Sequence, residues 1–194
     1  MTVHRKTNKP GIYFITFTCY AWLPLIETSG GYNTVYNFFR VLTDRKHIVL
    51  AYVLMPNHLH LLLHYSGGRE TLNTAIGNGK RFMAYEIVRL LEEKKEHLLL
   101  QRLQAEVKAN DRRRGKKHEV WKNGFDVKEC RTEKFLLQKL IYIHENPVRG
   151  KWNLCKSSLD YLHSSALFYF NGRQQLFEVK DYREFLDWEK MYEC

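Results

Sequence analysis

Several features that would assign the protein to a familiar class are missing from its sequence. No apolar run approaches the roughly 20 residues that a membrane-spanning helix needs. Residues 2–9 are polar and basic, without the hydrophobic block and cleavage site of a signal peptide. The four cysteines are scattered and form no Cys-x-x-Cys pair, which argues against a zinc ribbon and fits reduced thiols. We therefore expect a cytoplasmic protein without a membrane partner.

Acidic residues are also scarce. The chain has 21 Asp and Glu against 31 Lys and Arg, a net charge of +10. It shows no acidic cluster of the kind that holds two metal ions, which argues against a two-metal hydrolase of small phosphoesters. An excess of cations predicts an anionic partner, and nucleic acid is the most common one because each neutralised phosphate releases a counterion. The 12 tyrosines and 11 phenylalanines include candidates for stacking on unpaired bases, although most are expected in the core.

The 194 residues predict a single domain, with a core of about 12–150 and a C-terminal extension of 151–194. Hydrophobic patterning predicts strands at 12–20, 47–54, 58–65 and 118–127, and helices at 32–45, 72–107 and 132–146. Gly77-Asn78-Gly79 suggests that the second helix properly begins near Lys80. Residues 108–117 are expected to form a polar basic loop. The order predicts an α+β, ferredoxin-like antiparallel sheet with helices on one face, followed by an added helix and a tail.

Two histidines at the start of a hydrophobic strand are the first candidate site. In the run Met-Pro-Asn-His-Leu-His-Leu-Leu of residues 55–62, His58 and His60 are two residues apart. Side chains at that spacing point to the same face of a strand. The two imidazoles could therefore bind a metal together. The alternative is two histidines satisfied by hydrogen bonds on a partly exposed face.

The helix predicted at 132–146 provides the second candidate site. Leu136, Leu140 and Ile143 form an apolar stripe, whereas Tyr142 and Asn146 lie one turn apart on a different side. Tyr142 is therefore not expected in the core. A tyrosine can act as a nucleophile and an asparagine can offer an oxygen to a metal, although the same spacing also arises by chance.

Four segments in order resemble the REP-associated tyrosine transposases, a branch of the single-tyrosine HUH transposases. The first two are the histidine segment of residues 55–62 and the stretch Tyr-Ile-His-Glu-Asn-Pro-Val-Arg-Gly of residues 142–150. The others are the tryptophan-led segment of residues 120–125, which precedes the tyrosine helix, and residues 161–166, an aromatic followed by paired serines. The match extends from about residue 13 to residue 169.

This resemblance implies a metal-dependent endonuclease and strand transferase for single-stranded DNA, acting through a covalent 5′-phosphotyrosine at hairpin-forming repeats. Carried over by motif, His58 and His60 are metal ligands, Asn146 completes the site and Tyr142 is the nucleophile. The expected cofactor is a divalent metal, Mg²⁺ or Mn²⁺. Relatives often have a histidine where this chain has Asp126-Val127-Lys128, so a step assisted by that histidine would differ here.

Basic residues that could contact DNA phosphates flank these motifs. The expected DNA-binding residues are Arg149, Lys151, Lys80, Arg81, Arg112, Arg113, Arg114, Lys116 and Lys117. For a bare run of charge the usual alternative is a solvated surface. The expected partner is single-stranded or hairpin DNA, bound by a monomer or a homodimer. A second hypothesis remains open: a non-catalytic module of ferredoxin-like fold that binds structured DNA or RNA.

Overall fold

The computed structural model describes residues 8–150 and 152–186. Its four strands are β1 (Gly11–Thr18), β2 (Ile48–Met55), β3 (His58–Tyr65) and β4 (Asp126–Glu129). Its α-helices are α1 (Leu25–Ser29), α2 (Tyr32–Asp44), α3 (Leu72–Glu93), α4 (His97–Ala105), α5 (Ala109–Arg113), α6 (Glu133–Glu145) and α7 (Ala166–Asn171). Short 3-10 turns lie at Tyr20–Trp22, Asn146–Val148, Ser158–Asp160 and Tyr182–Phe185.

The strands form one antiparallel sheet in the order β2-β3-β1-β4. β2 and β3 form a hairpin, and β1 inserts between β3 and β4. This is the strand order of a ferredoxin-like fold, so the predicted fold class is confirmed. The predicted strand at 118–127 was wrong in position, because β4 starts only at Asp126 and residue Trp121 forms an isolated bridge with Cys19.

Each face of the sheet has its own hydrophobic core. Because strand residues alternate in direction, Leu59, Leu61 and Leu63 of β3 pack beneath α2 and α3. Leu62 points the opposite way and packs under α6 with Leu136 and other apolar residues of that helix. His58 and His60 share the face of Leu62. The added helix α6 therefore covers the histidine side of the sheet.

Helix α6 begins and ends where its sequence predicts. The Thr132 hydroxyl caps the first turn by accepting a hydrogen bond from the Phe135 amide at 3.3 Å. Such a cap stabilises a helix by about 1 kcal/mol. Pro147 follows the last residues, and the helix gives way to a 3-10 turn at Asn146. These two ends fix which turn of α6 lies over the histidines.

Residues 163–169 of the C-terminal extension pack along β2, the outermost strand of the hairpin. The Leu54 amide donates to the His163 carbonyl at 2.8 Å, and the Ser165 amide donates to the Tyr52 carbonyl at 3.0 Å. Tyr169 donates its hydroxyl to the Leu50 carbonyl at 2.9 Å. These contacts satisfy backbone groups that an uncovered edge strand would expose.

Two predictions about the middle of the chain were wrong. Helix α3 begins at Leu72 rather than near Lys80, because Thr71 caps it by accepting from the Thr74 amide at 3.1 Å. The helix passes through both glycines of Gly77-Asn78-Gly79. Gly79 does not break the helix but lies against the Phe38 ring of α2, where a larger residue would not fit. The predicted loop at 108–117 contains the short helix α5.

No helix among residues 8–150 and 152–186 is long and apolar enough to cross a membrane.

The two glycines of α3 provide a matched test of this packing. A Cβ at Gly79 would overlap the Phe38 ring, whereas one at Gly77 would meet no described atom within 4 Å. We expect Gly77→Ala to raise the free energy of unfolding by about 0.5–1 kcal/mol, because alanine favours a helix over glycine. Gly79→Ala should lower it by about 1–3 kcal/mol through overpacking. Urea denaturation of both variants measures the difference, and equal effects would contradict the packing of α3 on α2.

Candidate active site

His58 and His60 lie side by side beneath α6, as their spacing predicts. Both residues are buried, with 6% and 4% of their surface exposed, and their ring centroids are 4.9 Å apart. Burial lowers the pKa of His58 to about 4. Burial, the neighbouring His58 and the Lys139 ammonium lower the pKa of His60 well below its usual value. Both imidazoles are therefore neutral at physiological pH, the form that binds metals.

A chain of hydrogen bonds from the backbone sets the tautomer of His58. The Asn57 amide group donates through Nδ2 to the Trp22 carbonyl at 2.9 Å, which leaves Oδ1 directed at His58 Nδ1, 2.7 Å away. An oxygen in that position can only accept, so Nδ1 must carry the proton. The Nε2 atom of neutral His58 is consequently left with a lone pair.

His60 presents its Nε2 atom in the same region. The Thr16 hydroxyl lies 2.8 Å from His60 Nδ1, and the Phe14 ring stacks on the imidazole with centroids 5.4 Å apart. Nε2 of His60 is buried and has no hydrogen-bond partner among the described residues. Buried polar atoms are normally paired, so this orphaned nitrogen requires an explanation.

Asn146 brings an oxygen to the same place from the end of α6. Its Oδ1 lies 3.1 Å from His58 Nε2. Because the His58 tautomer makes Nε2 an acceptor, two acceptors face each other. A cation bound by both atoms would remove that conflict, and without one the amide would gain by turning its NH₂ group toward the nitrogen. The donor set of two imidazole nitrogens and an amide oxygen thus fits a divalent metal.

Acidic ligands are not gathered here. Across residues 8–150 and 152–186, no group of three His, Cys, Asp or Glu side chains is placed to hold a metal ion. A metal at the histidine pair would therefore take its remaining ligands from the Asn146 amide, from water or from a bound substrate.

Tyr142 stands one turn before Asn146 and beside the histidines. Its ring centroid is 4.9 Å from that of His60, and 44% of the residue is exposed. The Lys139 ammonium lies 5.7 Å from the tyrosine ring centroid. The exposed Tyr142 hydroxyl, close to the histidine pair and to a cation, is suitably placed to attack a phosphate that binds from the solvent side.

The predicted DNA-contacting residues do not all lie together. One cavity of about 670 Å³ lies between α3 and residues 114–124. It is lined by several of the predicted cations: Lys80, Arg81, Arg114, Lys116 and Lys117. Arg112 and Arg113 line a separate depression near α5. Arg149 is exposed and pairs with Glu145 at 2.5 Å, and Lys151 lies outside the described residues.

Lys80 is tied to the wall of this cavity. Its ammonium donates to the carbonyls of Lys122 and Gly124, and burial lowers its pKa to about 8. Its own carbonyl accepts from the Trp121 indole at 2.9 Å. These contacts give Lys80 a structural role in joining α3 to residues 121–124.

The cavity and the histidine pair adjoin the same end of β1. Thr18 pairs with His58 on one side, and its carbonyl accepts from the Lys122 amide at 2.8 Å on the other. Neighbouring strands lie about 4.8 Å apart, so the backbones of His58 and Lys122 are roughly 10 Å apart across β1. Because α3 and the histidines lie on opposite faces of the sheet, a strand of nucleic acid would have to pass around this end of β1 to contact both.

No protein-family model matches the chain, and a search of curated proteins finds no match. Among solved structures, a REP-associated tyrosine transposase bound to a REP hairpin is similar, with a TM-score of 0.59, 18% identity and 93% coverage of each chain. The chain has the fold of a REP-associated tyrosine transposase. A putative transposase from Deinococcus radiodurans also matches, at 14% identity and a TM-score of 0.36, covering 75% of this chain and 97% of its own.

The structure places three residues beside the histidines that the sequence did not predict there. Thr16 and Asn57 hold the Nδ1 atoms of His60 and His58, and Trp22 packs edge-on against His58 with ring centroids 5.7 Å apart. Asn57 could have been found, since it precedes His58 in the turn. Thr16 depends on strand register and Trp22 on a loop conformation, which the sequence does not reveal.

The His58 tautomer can be measured directly. In metal-free protein at neutral pH, we expect long-range proton–nitrogen NMR spectra to show His58 protonated at Nδ1, because Asn57 offers only an oxygen there. Asn57→Ala should remove this preference, while the exposed His97 serves as an internal reference. A His58 protonated at Nε2 in the unaltered protein would contradict the hydrogen-bond chain from Trp22.

Proposed function

We propose that this chain is a metal-dependent endonuclease and strand transferase of single-stranded DNA, with a role like that of a transposase. The observation that supports it most is the placement of Tyr142 against His60, with Asn146 one turn later facing His58. A nucleophile, two neutral imidazoles and an amide oxygen thus converge from β3 and α6. A pure binding module would have no use for this combination.

DNA is the substrate that the charge favours. The net charge is +10, and a cavity lined by seven Lys and Arg residues, together with Glu92 and Glu119, opens near the end of β1 where Thr18 pairs with His58. Such a cavity would attract the phosphates of a strand passing the site. The REP hairpin bound by the structural neighbour suggests that hairpin-forming repeats are the targets of this chain as well.

Mg²⁺ or Mn²⁺ is the proposed cofactor, held by His58, His60 and Asn146. The orphaned Nε2 of His60 and the facing acceptors at His58 and Asn146 are consistent with this role. A divalent ion there would withdraw charge from the scissile phosphate. Asn57 would keep Nε2 of His58 available to it by accepting from Nδ1, and Thr16 can accept from Nδ1 of His60 in the same way.

The reaction is a transfer of the phosphoryl group to tyrosine and back to DNA. The Tyr142 hydroxyl loses its proton to solvent and its oxygen attacks phosphorus, while the bond from phosphorus to the 3′ oxygen breaks. The departing oxygen takes up a proton as a free 3′-hydroxyl, and the 5′-phosphate remains on Tyr142. A second 3′-hydroxyl can then attack this phosphotyrosine and release the phenol. The energy of the broken bond is kept, so no ATP is needed.

The decisive experiment is the detection of a covalent adduct. Labelled single-stranded hairpins from the DNA beside the gene are mixed with the protein and Mn²⁺, then separated on a denaturing gel. We expect a slowly migrating adduct that disappears with Tyr142→Phe and with EDTA, because both the nucleophile and the metal are required. Tyr32→Phe, at a half-buried tyrosine on α2 outside the basic cavity, is the matched control and should still form the adduct.

The adduct experiment also separates the hypotheses. An adduct with Tyr142→Phe would show that another residue is the nucleophile. Tight hairpin binding that is insensitive to EDTA and yields no adduct would favour the non-catalytic binding module.

The metal site has its own test that does not depend on activity. We expect Asn146→Ala to weaken Mn²⁺ binding at least about tenfold, the loss typical of even an outer-shell partner. Asn146→Asp should retain binding, because a carboxylate oxygen replaces the amide oxygen. Isothermal titration calorimetry measures both, with Asn37→Ala on the exposed side of α2 as control. Equal Mn²⁺ affinity in all variants would remove Asn146 from the proposed ligand set.

A further inference from the structure

Trp22 is an exposed indole placed against the histidine pair. Its ring meets that of His58 edge-on with centroids 5.7 Å apart, and 52% of the residue is exposed. Tyr142 lies in a similar relation to His60. The two histidines are thus flanked by two exposed aromatic rings. The proposed chemistry uses only the tyrosine.

Holding Trp22 in this position is costly for the backbone. Ala21 and Trp22 have φ angles of 48° and 57°, in the left-handed region that bulky side chains rarely adopt. The conformation is held by the hydrogen bond from Asn57 Nδ2 to the Trp22 carbonyl. The same Asn57 orients His58. One amide therefore fixes the tryptophan and the imidazole relative to each other.

A structural role in the core does not account for this arrangement. Tryptophan contributes most to folding when its large ring is buried, as Trp121 is at 6% exposure. Trp22 instead leaves half of its surface open in a strongly basic protein. Backbone strain that persists around an exposed ring is typical of binding sites. The surface chemistry that suits a flat, apolar, exposed indole beside a phosphate site is an unpaired base.

The geometry points to Trp22 as a stacking platform for the base of a nucleotide next to the scissile phosphate. This inference rests on the proposed function, since it takes single-stranded DNA as the substrate of the Tyr142 site. Stacking would fix the direction and register of the strand at His58 without reading its sequence, because every base has an aromatic face.

The test measures binding to two probes that differ only in their bases. One is an oligothymidylate of about 20 nucleotides, and the other is an abasic oligomer of the same length and charge. All variants are made in full-length protein with Tyr142→Phe, so that no covalent adduct forms. We expect Trp22→Ala to weaken oligothymidylate binding roughly 10- to 100-fold and to leave binding of the abasic oligomer unchanged. Trp22→Phe should retain most of the affinity.

The control is Phe170→Ala, which removes a ring of 71% exposure on α7 and should change neither affinity. An equal loss for both probes in Trp22→Ala would overturn the inference, because it would show that the residue only supports the loop. No loss for either probe would overturn it as well. The adduct experiment with Tyr142 is independent, so the proposed function can survive either result. Failure of the parent protein to bind oligothymidylate would overturn the inference alone, because the hairpin adduct tests the proposed function separately.

Discussion

The register between β1 and β3 is the constraint on which the whole candidate site depends. Pairing of Thr16 with His60 puts a hydroxyl beside one imidazole, and pairing of Thr18 with His58 places the other at the end of β1. A slip of one residue would turn both histidines into the core beneath α2 and α3 and turn the leucines between them toward α6. Hydrophobic burial on both faces of β3 therefore specifies the functional geometry as well as the fold.

Burial determines the chemical state of the histidines. In water an imidazole is partly protonated near neutral pH, but under α6 its charged form loses solvation and the pKa falls. The helix that brings Tyr142 and Asn146 to the site is the same one that removes water from His58 and His60. Packing of Leu136, Leu140 and Ile143 on the sheet thus places Tyr142 and Asn146 beside the histidines and keeps the imidazoles neutral.

Local sequence patterns predicted those parts of the molecule that depend on short-range periodicity. The pairing of His58 with His60 on one face, the limits of α6 and the exposure of Tyr142 all follow from spacings of two or four residues. The start of α3 was missed because the glycine at position 79 was taken as a sign of a helix break. It is instead needed to make room for the Phe38 ring, some 40 residues earlier in the chain. The roles of Thr16 and Trp22 also depend on distant partners. The grouping of basic residues around one cavity could not be predicted either, because it depends on how residues 114–124 run between α3 and β1.

The position of α6 bears on whether the proposed reaction needs a second copy of the chain. The connection from β4 to α6 is short, since β4 ends at Glu129 and α6 begins at Glu133. Within one chain, it brings Tyr142 to 4.9 Å from the His60 ring and Asn146 to 3.1 Å from His58. The proposed nucleophile and the proposed metal ligands therefore meet within one chain. The proposed cleavage step can accordingly be written with the residues of a single copy.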